Sequence, residues 1–153
     1  MAPTQFEEKV RASLDRSVVA FNEGRPEFFD EFADEATIFT ADGREPIKGR
    51  EAYRQRYLNA LTAQKREKTV LSRNMQIVGN KAVVTQTARI TENGSSADVL
   101  QTIVYKNGGD SVRVEHLHNA LLTPQASETA TPPPVRVVNE RIAAVASVLG
   151  VAQ

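Results

Sequence analysis

The sequence predicts an α+β fold: a curled antiparallel sheet with three N-terminal helices packed around a pocket, followed by a C-terminal helical tail. Three observations carry this. Helical periodicity dominates residues 4–64, strand patterning replaces it from residue 68, and the strands are separated by turns of two or three residues. Short hairpin turns make chain neighbours antiparallel, and helices followed by a meander exclude an alternating parallel arrangement.

In residues 4–22 the apolar side chains Phe6, Val10, Leu14, Val18 and Phe21 recur about every four positions, which is one face of a helix. Thr4 with Glu7 or Glu8 behind it fits an N-terminal cap, and Gly24 and Pro26 end the helix. A second, short helix turns Phe28, Phe29 and Phe32 inward. Thr37, Ile38, Phe39 and Thr40 form a β-prone run closed by the turn Ala41-Asp42-Gly43. Gly49 precedes a third helix over 50–64 with Tyr53, Tyr57, Ala60 and Leu61 on its inner stripe. Strands are predicted over 68–78, 81–92, 97–106 and 111–123. They are joined by Gly79-Asn80, Asn93-Gly94 and Asn107-Gly108-Gly109, and the Asn-Gly pairs are strong hairpin signals. Residues 124–134 hold four prolines among Ser, Thr, Glu and Gln and read as a linker. Val135, Val138, Ile142, Val145 and Leu149 then give 135–153 one apolar helical face. The organisation is one domain over 1–123, a linker over 124–134 and an extension over 135–153.

With 153 residues the chain suits one domain. Nineteen basic and nineteen acidic residues cancel, and no basic stripe appears, so a nucleic-acid partner is not expected. No apolar run is long enough to span a membrane, and no Lys/Arg cluster adjoins an amphipathic helix. The absence of cysteine excludes disulfides, thiol nucleophiles and thiolate metal sites. The polar first ten residues lack a signal-peptide core, so a cytoplasmic location is expected. No Ser/His/Asp signature, phosphate loop or HExxH spacing is present, and no cofactor is expected.

Side chains alternate along a strand, which places His116 and His118 on one face, about 6.5–7 Å apart. A shared metal would need a third ligand from Asp or Glu, since the chain has no other histidine. No metal site is expected, and the pair reads as part of the sheet or of a subunit interface. Arg89 and Glu115 are charged residues in mid-strand, and on a face toward the helices they need a partner or a cavity. They pair with each other, or Arg89 holds a carboxylate ligand with its planar fork. Tyr53 and Tyr57 read as core residues whose hydroxyls reach a pocket edge.

The stretch from Glu31 to Thr40, with Ala36-Thr37-Ile38-Phe39 at its centre, and the stretch from Pro46 to Tyr53 resemble the nuclear-transport-factor-2-like superfamily. The general pattern is that of its SnoaL-like and ketosteroid-isomerase-like branches. Val114-Glu115-His116-Leu117-His118-Asn119 is similar to the end of the calcium/calmodulin-dependent kinase II association domain. The resemblance covers about 4–124 and implies a cone-shaped sheet around a pocket. Thr40 stands where the isomerase branch has its general-base Asp, and Ile103 where it has an oxyanion-stabilising acid, which argues against steroid-isomerase chemistry. Arg89 matches one pocket arginine of the association domain, whereas Ile103 and Asn119 match two others. The resemblance thus implies a pocket face with Arg89, Gln101, Glu115 and Asn119, walled by Tyr53, Tyr57 and Thr40. It puts His116 and His118 on the opposite face, where such cones meet a partner subunit. Three functions fit: a homo-oligomer, expected as a dimer, binding a small molecule, with carboxylate-bearing compounds among the candidates; an enzyme of the cyclase or isomerase kind with Glu115 as proton-transfer group; or an association module.

Overall fold

A computed structural model describes residues 3–122. The predicted linker over 124–134 and helix over 135–153 lie outside the described residues. The chain runs α1 (Pro3–Glu23), a 3-10 helix (Pro26–Glu31), β1 (Phe32–Phe39), β2 (Ile47–Lys48), α2 (Arg50–Ala63), β3 (Glu67–Val78), β4 (Lys81–Glu92), β5 (Ser95–Asn107) and β6 (Val112–Leu121). The six strands form one sheet in the order β2-β1-β6-β5-β4-β3.

Two features differ from the sequence reading. The second helix is a 3-10 segment that stops at Glu31, so Phe32 opens β1 rather than closing a helix. The sheet is also mixed, because β1 pairs with β6 in parallel while every other pair is antiparallel. The reason is topological. α2 and four strands intervene between β1 and β6, so β1 joins the far edge of the meander by a long connection and no hairpin sets its direction.

The concave face of the sheet is covered by α1, the 3-10 helix and α2. The α1 stripe of Phe6, Val10, Leu14 and Phe21 is buried as its spacing predicts. Tyr53 is fully buried, its ring centroid 5.3 Å from those of Phe29 and Phe32 and 5.5 Å from that of Tyr57. Tilted and edge-on contacts of this kind anchor the helical layer.

Gly24 lets α1 end close against α2. Its φ is +67°, and a Cβ there would stand 2.8 Å from the Leu61 carbonyl oxygen. Gly24→Ala combines a left-handed backbone with a backbone clash, so a loss of about 1–3 kcal/mol is expected. Urea unfolding measures it, and a loss below about 0.5 kcal/mol would mean that the two helices separate freely.

Two irregularities decide which side chains face inward. The β3–β4 register slips between Val70 and Ser72, and the β5–β6 register slips at Glu115. Each extra residue reverses the in-out alternation of its strand.

Candidate functional site

The concave face carries a row of amides. Arg73, Gln86, Gln101 and Asn119 are direct neighbours across β3, β4, β5 and β6. Arg73 Nε donates to Gln86 Oε1 at 2.9 Å, Gln86 Nε2 to Gln101 Oε1 at 2.8 Å, and Gln101 Nε2 to Asn119 Oδ1 at 3.1 Å. Asn119 Nδ2 ends the row on the Phe39 carbonyl of β1 at 3.0 Å. The three amides are at most 3% exposed. Every donor points the same way, away from the guanidinium, so each bond polarises the next.

Lys68 stands beside this row. It is 8% exposed, and its ammonium lies 5.9 Å from the centre of the Phe21 ring. Asn22 of α1 holds the Lys68 backbone at both ends, accepting from its N–H at 2.8 Å and donating to its carbonyl at 3.4 Å. No carboxylate of the described residues lies within ion-pairing distance of Lys68. Burial first, and the positive charge of Arg73 second, pull its ammonium down to about 7.

A cavity opens between α1 and the sheet, lined by Lys68, Gln86, Gln101, Tyr105, Phe28 and Phe32 among others. The space open to the centre of a water molecule is about 30 Å³, enough for roughly two waters. Tyr105 marks one wall. Its hydroxyl lies 2.9 Å from Ser13 Oγ, which donates to Glu31 Oε1 at 2.7 Å, so the phenol is the donor to serine. Burial pushes that phenol far above its ordinary range. Arg16 closes the chain with a two-pronged contact to Glu31.

The predicted site residues divide into three groups. Gln101 and Asn119 lie on the concave face, within the amide row. Tyr53, Tyr57 and Thr40 are buried but do not line this cavity. Thr40 instead donates to Asp42, which also accepts from the Arg44 N–H. Burial opposes ionisation of Asp42, yet these bonds and the charges of Arg44 and Arg56 hold its carboxyl below the usual range.

Arg89 and Glu115 are on the convex face, not in the pocket. On β4 the inward residues are Ala82, Val84, Gln86, Ala88 and Ile90. Arg89 therefore points out, where it makes two bonds to Asp98 on β5 at 2.8 and 3.1 Å. Glu115 is the extra residue of the β6 bulge. Val104 pairs with His116 and Tyr105 with Val114, so Glu115 is skipped and turns outward to Lys81. Val112 and Val114 take the inward positions instead. The two residues neither pair with each other nor supply a proton-transfer group to the cavity.

His116 and His118 also face outward. Both rings pack on Phe39, with centroids 5.4 and 5.5 Å away. Burial, and then the neighbouring His118, hold His116 below its ordinary value.

Sequence reasoning missed Lys68, Gln86 and Arg73. The signal for Gln86 was present, since it shares parity with four apolar residues of β4. Lys68 shares parity with Val70 before the bulge, whereas Arg73 turns inward only because of it.

No family model matches the chain, and no curated protein does. Solved structures do. A provisionally assigned dehydratase of the NTF2-like family from Streptomyces avermitilis superposes with a TM-score of 0.71 at 17% identity, covering 80% of this chain and 100% of that one. An NTF2-like protein of unknown function from Pseudomonas putida KT2440 gives 0.70 at 17% identity, covering 88% and 100%. A provisionally assigned calcium/calmodulin-dependent protein kinase II association domain from Xanthomonas campestris gives 0.63 at 19% identity, covering 76% and 87%. Among the described residues no helix is long and apolar enough to cross a membrane. Element order, curled sheet and these superpositions agree with the resemblance read from residues 31–53, and the chain has the NTF2-like, cystatin-like cone fold.

Proposed function

We propose that the protein binds a small anionic molecule in the concave-face cavity, as a homodimer formed through the convex face. The observation that carries this reading is Lys68. A buried ammonium without a carboxylate partner is costly, and an anion entering the cavity supplies the missing charge. Arg73 adds positive potential, and Gln86 and Gln101 offer polar groups on the same wall. This replaces Arg89 as the anion-reading group and keeps the expectation of a carboxylate-bearing ligand. The size of the cavity restricts that ligand to a few heavy atoms.

The dimer reading rests on the convex face. Phe39, His116 and His118 form a stacked cluster there, and Leu100 on the same face is 37% exposed. A second reading, an enzyme related to the provisionally assigned dehydratases, is favoured by the Lys68 amine. Near neutral pH it holds and releases a proton, which suits a general base.

Thermal shift against one- and two-carbon carboxylates, with Lys68→Met run in parallel, tests the pocket. Stabilisation of the wild type that disappears in Lys68→Met is expected. Equal shifts in both proteins would remove Lys68 from the site, and no shift with any carboxylate would remove the anion pocket. Sedimentation of the wild type beside His118→Glu tests the interface. A dimer that the charge splits is expected, and a monomeric wild type would end the dimer reading.

A further inference from the structure

We propose that Lys68 is a carbonyl-reactive lysine that forms an imine with a two-carbon oxo acid. The inference rests on the anion pocket proposed above and goes further, naming a covalent step and the class of compound that undergoes it.

The geometry has four parts. Lys68 is inward-facing on an edge strand, and Asn22 fixes its backbone with two hydrogen bonds. Its side chain crosses the Phe21 ring and reaches the cavity. No described carboxylate shares its charge, so nothing pins the nitrogen as an ammonium. Lys68 instead lines an enclosure whose polar wall is Gln86 and Gln101, backed by Arg73. Surface lysines of this chain are placed differently. Lys81 and Lys106, for example, are ion-paired to Glu115 and Glu35.

The chemistry follows from that placement. The nitrogen lone pair attacks the carbonyl carbon, forming a C–N bond while the carbonyl π electrons move to oxygen. A proton passes from nitrogen to that oxygen to give a carbinolamine. The nitrogen lone pair then forms the C=N bond as the C–O bond breaks, and the hydroxyl leaves as water with the second proton of the nitrogen. No oxidant or reductant takes part. An amine whose ammonium is drawn down to about 7 carries a free lone pair in a large fraction of molecules at neutral pH, unlike an ordinary lysine. The oxo acid is favoured over a neutral aldehyde because the interior around Lys68 is positive, through Arg73. The cavity of about 30 Å³ admits two carbons more readily than a ring.

The test uses glyoxylate with sodium cyanoborohydride, which reduces an imine to a stable carboxymethyl-lysine. Peptide mapping by mass spectrometry locates the product on the full chain. Glycolate, which has the carboxylate but no carbonyl, runs beside it in thermal shift. The expected result is a carboxymethyl group on Lys68, formed about tenfold or more faster than on any other lysine. Glycolate is expected to slow it by competition. Lys68→Arg keeps the charge but not the nucleophile and is expected to bind glycolate without labelling. Stabilisation by glycolate and glyoxylate with Lys68 labelled no faster than the surface lysines would overturn the imine and leave the anion pocket standing. Neither stabilisation nor preferential labelling would overturn both.

Discussion

Lys68→Met raises the unfolding free energy by roughly 3–5 kcal/mol at pH 6, and the gain fades as the pH climbs toward 10. The folded chain draws the Lys68 ammonium down from 10.5 to about 7. Between those values the unfolded chain binds a proton that the folded chain lacks. Wild-type stability therefore rises with pH through that window, and the full penalty of burying the group applies below it. Methionine keeps the unbranched stem and the packing on Phe21 but has no charge to desolvate. The charged groups around the site are Arg73 on β3, with Asp15 of α1 3.8 Å from its guanidinium, and Arg66, which also stacks on Phe21. None of them offers Lys68 a carboxylate partner. Urea unfolding of both proteins at pH 6, 8 and 10 checks the prediction. A stability difference that stays flat with pH would mean that Lys68 remains charged in the fold, and the reactive-amine argument would fall with it.

Gln101→Leu should have the opposite sign, a loss of roughly 3–5 kcal/mol. It cuts the amide row at its centre. Gln86 Nε2 loses its acceptor and Asn119 Oδ1 its donor, and both groups stay buried. A buried polar group left without a partner costs more than the average hydrogen bond contributes, so the damage exceeds the two bonds counted singly. Replacing Gln86, Gln101 and Asn119 together by apolar residues is expected to be milder than the sum of three single changes, because the orphaned partners go too. Denaturant unfolding of the single and triple variants decides this. A loss under about 1 kcal/mol for Gln101→Leu would mean that water satisfies the row and that the cavity wall is wetter than its burial implies.

The two predictions concern one design. A polar row crosses an otherwise apolar concave face, and a lysine without a counter-ion among the described residues stands at its edge. Burial lowers the pKa of Lys68 and strengthens the amide bonds together. On the same Phe21 ring as Lys68, Arg66 donates to the Leu61 and Ala60 carbonyls at 2.7 Å each and so caps α2. Its Nε and Glu92 Oε2 remain without hydrogen-bond partners among the described residues. Burial accordingly pushes the Glu92 carboxyl up, although the nearby Arg66 charge opposes it.

The sequence by itself determined the two long helices, the four meander strands and their order. The four-residue stripe of α1, the stripe of α2 and the Asn-Gly turns act over a few residues. Such local signals survive whatever the rest of the chain does. β4 was read with the bounds it has in the fold, and the inward amides Gln101 and Asn119 were named. What the tertiary structure decided was which face each charge occupies and which groups meet. Glu115 left the concave face because one extra residue in β6 reversed the alternation, and no residue in Val114-Glu115-His116 announces a bulge. Arg89 found Asp98 rather than Glu115 because strand register, a property of the assembled sheet, sets cross-strand partners. Lys68 became unusual only when α1 and the phenylalanines closed over it. Its low pKa comes from desolvation, and desolvation exists only once distant parts of the chain have packed together.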